Sequence, residues 1–188
     1  MKILYISPEN TGGTLSSWKQ AHEAKGNECT FITLFPSLQE FDPGICLNLP
    51  LIKAGPWYTK SRRHYYKITR GMKGGHEEKE GYPPVWEPNS IMEQKYFQFR
   101  DWLWSKWVEP AIQKYNLKEY DIFHLEWGLE FYRDGRFVKK LSKLEKPIIC
   151  TYHGQDLRTR GVIPAIDEVS CLNLTSELDL LKKHPNIK

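Results

Sequence analysis

Residues 2–35 read KILYISPENTGGTLSSWKQAHEAKGNECTFITLF, and this stretch decides the fold. KILYIS (2–7) is an apolar run of strand length, PENTGGT a polar loop, LSSWKQAHEAKG a helical stretch closed by Gly26, and ECTFITLF (28–35) a run rich in β-branched and aromatic residues. Strand, helix and strand in direct succession form a βαβ unit, whose two parallel strands are joined by a right-handed crossover. The expected fold class is therefore α/β, a Rossmann-like parallel sheet flanked by helices.

Working outward, the same alternation returns downstream. YDIFHLEW (120–127), KPIICTY (146–152) and VSCLNLT (169–175) read as strands, and LEFYRDGRFVKKLSKL (129–144) as a helix interrupted near Gly135. Ser90 and Glu93 have capping-box spacing and open another helix, in which Tyr96, Phe99, Leu103 and Trp107 make one apolar stripe and Pro110 is expected to kink or end it. Ser176 is expected to start a last helix, with Glu177 and Asp179 in its first turn, Lys182, Lys183 and His184 at its end, and Pro185 as its stop. Residues 36–89 hold most of the prolines and little periodicity, so an irregular aromatic and basic insert of short strands and long loops is expected inside one domain spanning 1–188.

Composition agrees with one globular domain: 188 residues, 40% of them hydrophobic and 13% aromatic. A formal charge of +4 permits anionic partners without demanding them. Cys29, Cys46, Cys150 and Cys171 are far apart in sequence with no C-x-x-C pair, so free buried thiols in a reducing compartment are expected. The apolar part of MKILYISPEN is too short for a signal peptide, and no run approaches the ~20 apolar residues of a membrane span. The expected location is cytoplasmic. The stretch KSRRHYYKITRGMK (60–73) has six Lys or Arg and no acid, a pattern that could contact an anionic membrane surface such as the inner face of the cell membrane, an anionic acceptor or nucleic acid, although a solvated basic face would look the same.

In an open parallel sheet, ligands bind outside the carboxyl ends of the strands, where strand order reverses. Two loops of unusual composition leave such ends: PENTGGT, and HGQDLRTRG (153–161). Gly12 and Gly13 would let a ligand approach the backbone and the amides of the next helix. They form neither a G-x-G-x-x-G fingerprint nor a P-loop, and the second strand does not end in an acid, so a nicotinamide cofactor is disfavoured. His153, followed by Gly154, is placed to donate a hydrogen bond or act as a base. Asp156 could cap the next turn or orient His153, and Arg158 and Arg160 could hold phosphate. His124 and Glu126 alternate along one strand and so share a face. A plain turn before a helix, a loop histidine and solvated arginines would account for the same residues. No Ser-His-Asp or Cys-His arrangement is assignable, the histidines lack metal-ligand spacing, and no metal is expected. The aromatics of GPWY, YPPVW and WLWSKW could line a sugar-binding surface or belong to the core.

MKILYISPENTGGT, AHEAKGNECTFIT, YDIFHLEW and KPIICTYHGQDLRTRG followed by VSCLNLTSELDLL, in this order and spacing, resemble the N-terminal domain of GT-B glycosyltransferases, specifically the retaining family 4 enzymes. The resemblance covers about two-thirds of the chain and leaves out residues 36–89. It departs from the family pattern at Asn27, where a histidine is usual, and in the first helix. It implies an acceptor-binding domain that faces a C-terminal donor-binding domain, absent from this sequence, across a cleft. It implies transfer of a sugar from a nucleotide-sugar donor to a hydroxyl of a glycan or lipid-linked acceptor, with retention and without an obligatory metal or cofactor. On that resemblance His153 is the catalytic residue, lying near the transferred sugar. Gly12, Gly13, Gly154, Asp156 and Arg158 bind substrate, with Glu126 as a candidate acceptor contact. The half-enzyme would be inactive alone. A non-catalytic α/β module that binds an anionic ligand or a partner chain is the alternative. A nucleic-acid partner is not expected, because it would leave the βαβ pattern and the His-Gly loop unexplained.

Overall fold

A computed structural model describes residues 1–37, 39–51, 64, 83–154, 156–182 and 184–188. Six strands form one all-parallel sheet: β1 (Lys2–Ser7), β2 (Glu28–Thr33), β3 (Ile45–Cys46), β4 (Ile122–Glu126), β5 (Ile148–Tyr152) and β6 (Leu172–Thr175). Their order is β3-β2-β1-β4-β5-β6, so the chain winds outward from β1 in one direction and then returns to lay β4 against its other side. The α/β, Rossmann-like reading thus holds. The crevice where strand order reverses lies between the carboxyl ends of β1 and β4.

Alternation along the strands builds two cores. Leu4, Ile6, Ile32, Phe123, Leu125, Ile148 and Cys150 face one way. They are covered by α2 (Ile91–Lys114), α3 (Arg136–Ser142) and α4 (Pro164–Asp167). Ile3, Tyr5, Cys29 and Phe31 face the other way, under Leu15 and Trp18 of α1 (Thr14–Glu23).

The helices correct several expectations. In α2 the cap is as expected, with Ser90 Oγ accepting from the Glu93 amide. The buried face, however, is Phe97, Arg100, Asp101, Trp104, Val108, Ala111 and Ile112. Tyr96, Phe99 and Trp107 lie exposed on the opposite side with Leu103 half-buried, because α2 carries apolar residues at helical spacing on two faces and the sheet takes only one. Pro110 does not end α2, which runs on to Lys114. The proline is exposed, so the Lys106 carbonyl that it deprives of a partner is on the water side. Residues 129–135 are not helical. Buried Glu130 instead accepts the amides of Phe131 and Phe137, and Asp101 that of Arg133, which draws the segment into an irregular path. Burial pushes the Glu130 carboxyl up to about 8.

After β6 a 3₁₀ turn (Leu178–Lys182) replaces the expected helix, and His184 is buried against Asp167 at 2.9 Å. All four cysteines are free, but only Cys29 and Cys150 are buried; Cys46 is half-buried and Cys171 exposed. Of the expected insert, the described part holds β3 and loops, while the basic stretch 60–73, apart from His64, and GPWY lie outside the described residues. Trp86 and Trp104 are core, whereas Trp102 and Trp107 are exposed. Among the described residues no helix is long and apolar enough to cross a membrane.

The bridge between Val85 and Val162 fastens the start of α2 to the loop beyond β5, and Gly161 makes it possible. Its φ is 84°, and a Cβ there would lie 2.2 Å from the Pro84 carbonyl oxygen. Gly161→Ala should therefore cost about 2–4 kcal/mol. Gly26→Ala, at a similar φ but in open space, should cost about 1 kcal/mol. Urea denaturation of the two variants measures the difference, and equal costs would refute the packing argument.

Candidate functional site

The crevice at the switch point is a cleft of about 300 Å³. Ser7, Glu9, Thr11, Thr14 and Leu15 line it from the β1–α1 side, Glu126 and Trp127 from the end of β4, His153, Gly154 and Asp156 from the loop after β5, and Glu177 from the turn after β6. The first wall is fixed by Asn10, fully buried. Its side chain donates to Ser16 Oγ and the Asp42 carbonyl and accepts the Leu15 amide, which ties the loop to α1 and to the chain after β2. Gly12 and Gly13 form the turn just before α1 with φ of 62° and 73°. They lie between Thr11 and Thr14 of the lining without contributing to it.

At the centre, His153 Nε2 meets Glu126 Oε2 at 2.8 Å. Glu126 is almost fully buried, while the His153 side chain is one-third exposed toward the cleft. Behind them His124 Nε2 bonds Thr151 Oγ1 at 2.7 Å, and the His124 ring clusters with those of Tyr5 and Trp18 at centroid distances of 5.1 and 4.7 Å. His124 and Glu126 do share a face, as the alternation required. Burial pushes His124 down to about 3, so it stays neutral. Among the described residues Glu126 Oε1 has no hydrogen-bond partner, and His124 Nε2 lies 3.6 Å from it.

Burial raises the Glu126 carboxyl, against the hydrogen bond from His153. That same bond raises His153 above the ordinary imidazole value, outweighing its own partial burial. Both shifts favour a proton shared within the pair, with Nε2 committed to Glu126 and Nδ1 left to address a ligand.

The rest of the loop is held by acids that the sequence reading had assigned to a helix start. Glu177 Oε1 accepts the Gly154 amide, and its other oxygen, with both oxygens of Asp179, takes the Arg158 guanidinium. Arg158 thus meets carboxylates at 2.5 and 2.7 Å, and Arg160 donates to the carbonyls of Trp127 and Gly161. Neither lines the cleft. Asp156 does line it. Its Oδ1 accepts the Leu157 amide and its buried Oδ2 has no partner among the described residues, while burial raises its carboxyl.

The site thus unites Glu126, His153, Gly154 and Asp156, keeps Gly12 and Gly13 at its rim, and turns Arg158 to Glu177 and Asp179. Glu9, Trp127 and Glu177 were missed. Glu177 follows the carboxyl end of β6, so the same edge rule that found His153 could have found it. Trp127 sits at φ 63°, an unusual backbone for a bulky residue, in a turn that sets its ring 6.3 Å from the His153 ring.

Among the described residues no Lys or Arg is in the lining, which offers carboxylates, hydroxyls, an imidazole and an indole. Such a surface accepts hydrogen bonds from hydroxyls or a cation and presents an aromatic face; it does not neutralise phosphate. Among the described residues no three His, Cys, Asp or Glu are arranged to hold a metal ion. No family model, no curated protein and no solved structure matches this chain.

The dyad makes a titration prediction. His153, followed by imidazole NMR, should lose its proton above the ordinary 6.5. In Glu126→Gln it should lose it at a lower pH than in the unaltered protein, because the largest cause of the rise is gone and burial then opposes the remaining pull of Asp156 and Glu177. Since the folded value is raised, the stabilisation from the pair is full below about pH 6.5 and fades as pH rises through the folded value. An unchanged His153 titration in Glu126→Gln would show that the carboxylate does not set it.

Proposed function

We propose that this chain is the acceptor-binding half of a sugar-nucleotide-dependent, retaining glycosyltransferase of the GT-B kind. The observation that carries the reading is a switch-point cleft in which His153 is buttressed by buried Glu126 among carboxylates, hydroxyls and an indole ring, with no lysine or arginine among the described residues of the lining. A polyhydroxylated ligand suits that chemistry. Carboxylates accept sugar hydroxyls, and Trp127 offers a face for the apolar side of a pyranose. The order of the motifs along the chain, from NTGG through FHLEW to YHGQD, supports the same reading. The carboxylates weigh against the alternative of an anionic ligand in this cleft.

The roles follow from protonation. Glycosyl transfer passes through an oxocarbenium-like state as the bond to the departing diphosphate breaks. In this reading Glu126, by holding Nε2–H, favours the imidazolium form of His153, whose Nδ1–H can donate to the transferred sugar or to the oxygen that gains charge. Glu9 and Asp156 would accept hydroxyls, and Gly154 lets the ligand approach close to the backbone. No lysine or arginine among the described lining residues meets the phosphates. In this reading they face Gly12, Gly13 and the first amides of α1, and a second domain supplies the rest of the donor site. A nucleotide-sugar donor makes the cytoplasm the place of action, and no cofactor is required.

The test is sugar transfer by the polypeptide of the full reading frame, assayed with a panel of nucleotide sugars and hydroxyl acceptors. His153→Ala should lower kcat/KM by about 10²–10³-fold, the typical loss on removing one aligned donor. Glu126→Gln should lower it less and displace the pH profile to lower pH. Transfer undiminished in His153→Ala would refute the site, and no transfer with any donor would refute the reading.

A further inference from the structure

Helix α2 has two apolar faces. One is the core face already described. On the other, Met92, Tyr96, Phe99, Trp102 and Trp107 are each at least 39% exposed, and together with Ile91 and half-buried Leu103 they recur at helical spacing along the outer side. A helix apolar all round is ordinarily buried all round. An exposed patch of this kind marks a surface that meets a partner.

Its composition selects the partner. The exposed charges of α2 are Lys95, Lys106 and Lys114, and its acids are withdrawn: Glu93 and Asp101 are buried, and half-buried Glu109 accepts the Tyr132 hydroxyl. Lys106 Nζ lies 5.2 Å from the Trp102 ring, and the Trp102 and Phe99 rings are 5.9 Å apart. Tryptophan, tyrosine and phenylalanine interleaved with lysine on one side of a long helix suit the headgroup level of a bilayer, where indole rings settle and ammonium groups meet anionic lipid. Protein–protein interface cores are, by contrast, depleted in lysine. The inner side of the helix is anchored as such a surface requires: buried Arg100 is paired with Asp101 and lies over Trp104, whose Nε1 donates to the Pro50 carbonyl.

We propose that the outer face of α2 is a docking surface for an anionic lipid bilayer, with the helix lying in the interfacial plane. This does not rest on the glycosyltransferase reading, and either can fail alone. The test is flotation of the full chain with phosphatidylcholine vesicles, with and without roughly one-third phosphatidylglycerol. The protein should float with the anionic vesicles only, and less as salt rises. Lys95→Gln with Lys106→Gln should weaken binding by about 30-fold, near fivefold for each lysine. Phe99→Ser with Trp102→Ser should weaken it by at least about tenfold. Both pairs are exposed, so thermal unfolding should be unchanged, which separates lost docking from lost folding. Four results would overturn the proposal: absence of binding by the unaltered protein, equal binding by the variants, loss of binding only on neutralising 60–73, or a concentration-dependent dimer abolished by Phe99→Ser with Trp102→Ser.

Discussion

An all-parallel sheet has to be covered on both faces, because its crossovers put helices there and its strands are apolar on both sides. Everything else in this molecule answers to that constraint. β1 is the centre of the sheet, and its Leu4, Tyr5 and Ile6 are sealed from water in both directions. The chain then has to pass from β3 at one edge back to β4 beside β1, and the 24-residue α2 makes that return across the face opposite α1. The crossing separates the loops after β1 and β4. The resulting gap at the carboxyl edge is a by-product of strand order and exists before any side chain is placed in it.

What fills the gap breaks the apolar pattern, and breaks it on one face only. His124, Glu126 and Thr151 project on the α1 side, where the second core is small and local to Ile3, Tyr5, Cys29 and Phe31. A carboxylate taken out of water costs several kcal/mol unless it is bonded. Among the described residues Glu126 has one bonded oxygen and one without a hydrogen-bond partner, an arrangement that a purely structural residue has no reason to keep. Neutral His124 behind it, clustered with two aromatic rings, fixes the strand end without contributing charge.

Local signals made the sheet legible. Apolar runs of strand length, Gly26 after a helical stretch and capping residues at Ser90 are all near-neighbour effects, and they located five of the six strands. The two-residue β3 gave only the general expectation of short strands. The reading failed where distant parts of the chain compete for the same residue. Spacing shows that Tyr96, Phe99, Leu103 and Trp107 share a face of α2, but not which of two apolar faces the sheet will take. Residues 129–135 have helical periodicity, yet Glu130 and Asp101 draw their backbone amides elsewhere. In the site, His153 and Glu126 were found because each ends a strand. Their pairing across adjacent strands, and the capture of Arg158 by Glu177 and Asp179, depend on separations of 19 to 27 residues that no local pattern reports.

The two proposals meet in the direction of α2. A crossover helix runs antiparallel to its strands, so α2 starts at the carboxyl edge of the sheet, the edge that holds the cleft. The contacts agree: Trp86, just before α2, donates to the Val162 carbonyl in the segment that follows the His153 loop, and its ring packs edge-on against Phe97. The amino-terminal half of the outer face, with Met92, Tyr96 and Phe99, is therefore at the same end of the molecule as Glu126 and His153. The two features share an end of the molecule but not a face: the outer side of α2 looks away from the sheet opposite α1, whereas Glu126 and the cleft lie on the α1 side. An acceptor dissolved in water would gain nothing from such a helix. Were both proposals to hold, the acceptor that profits from docking would be a lipid-linked one, reaching the cleft around the carboxyl end of the sheet.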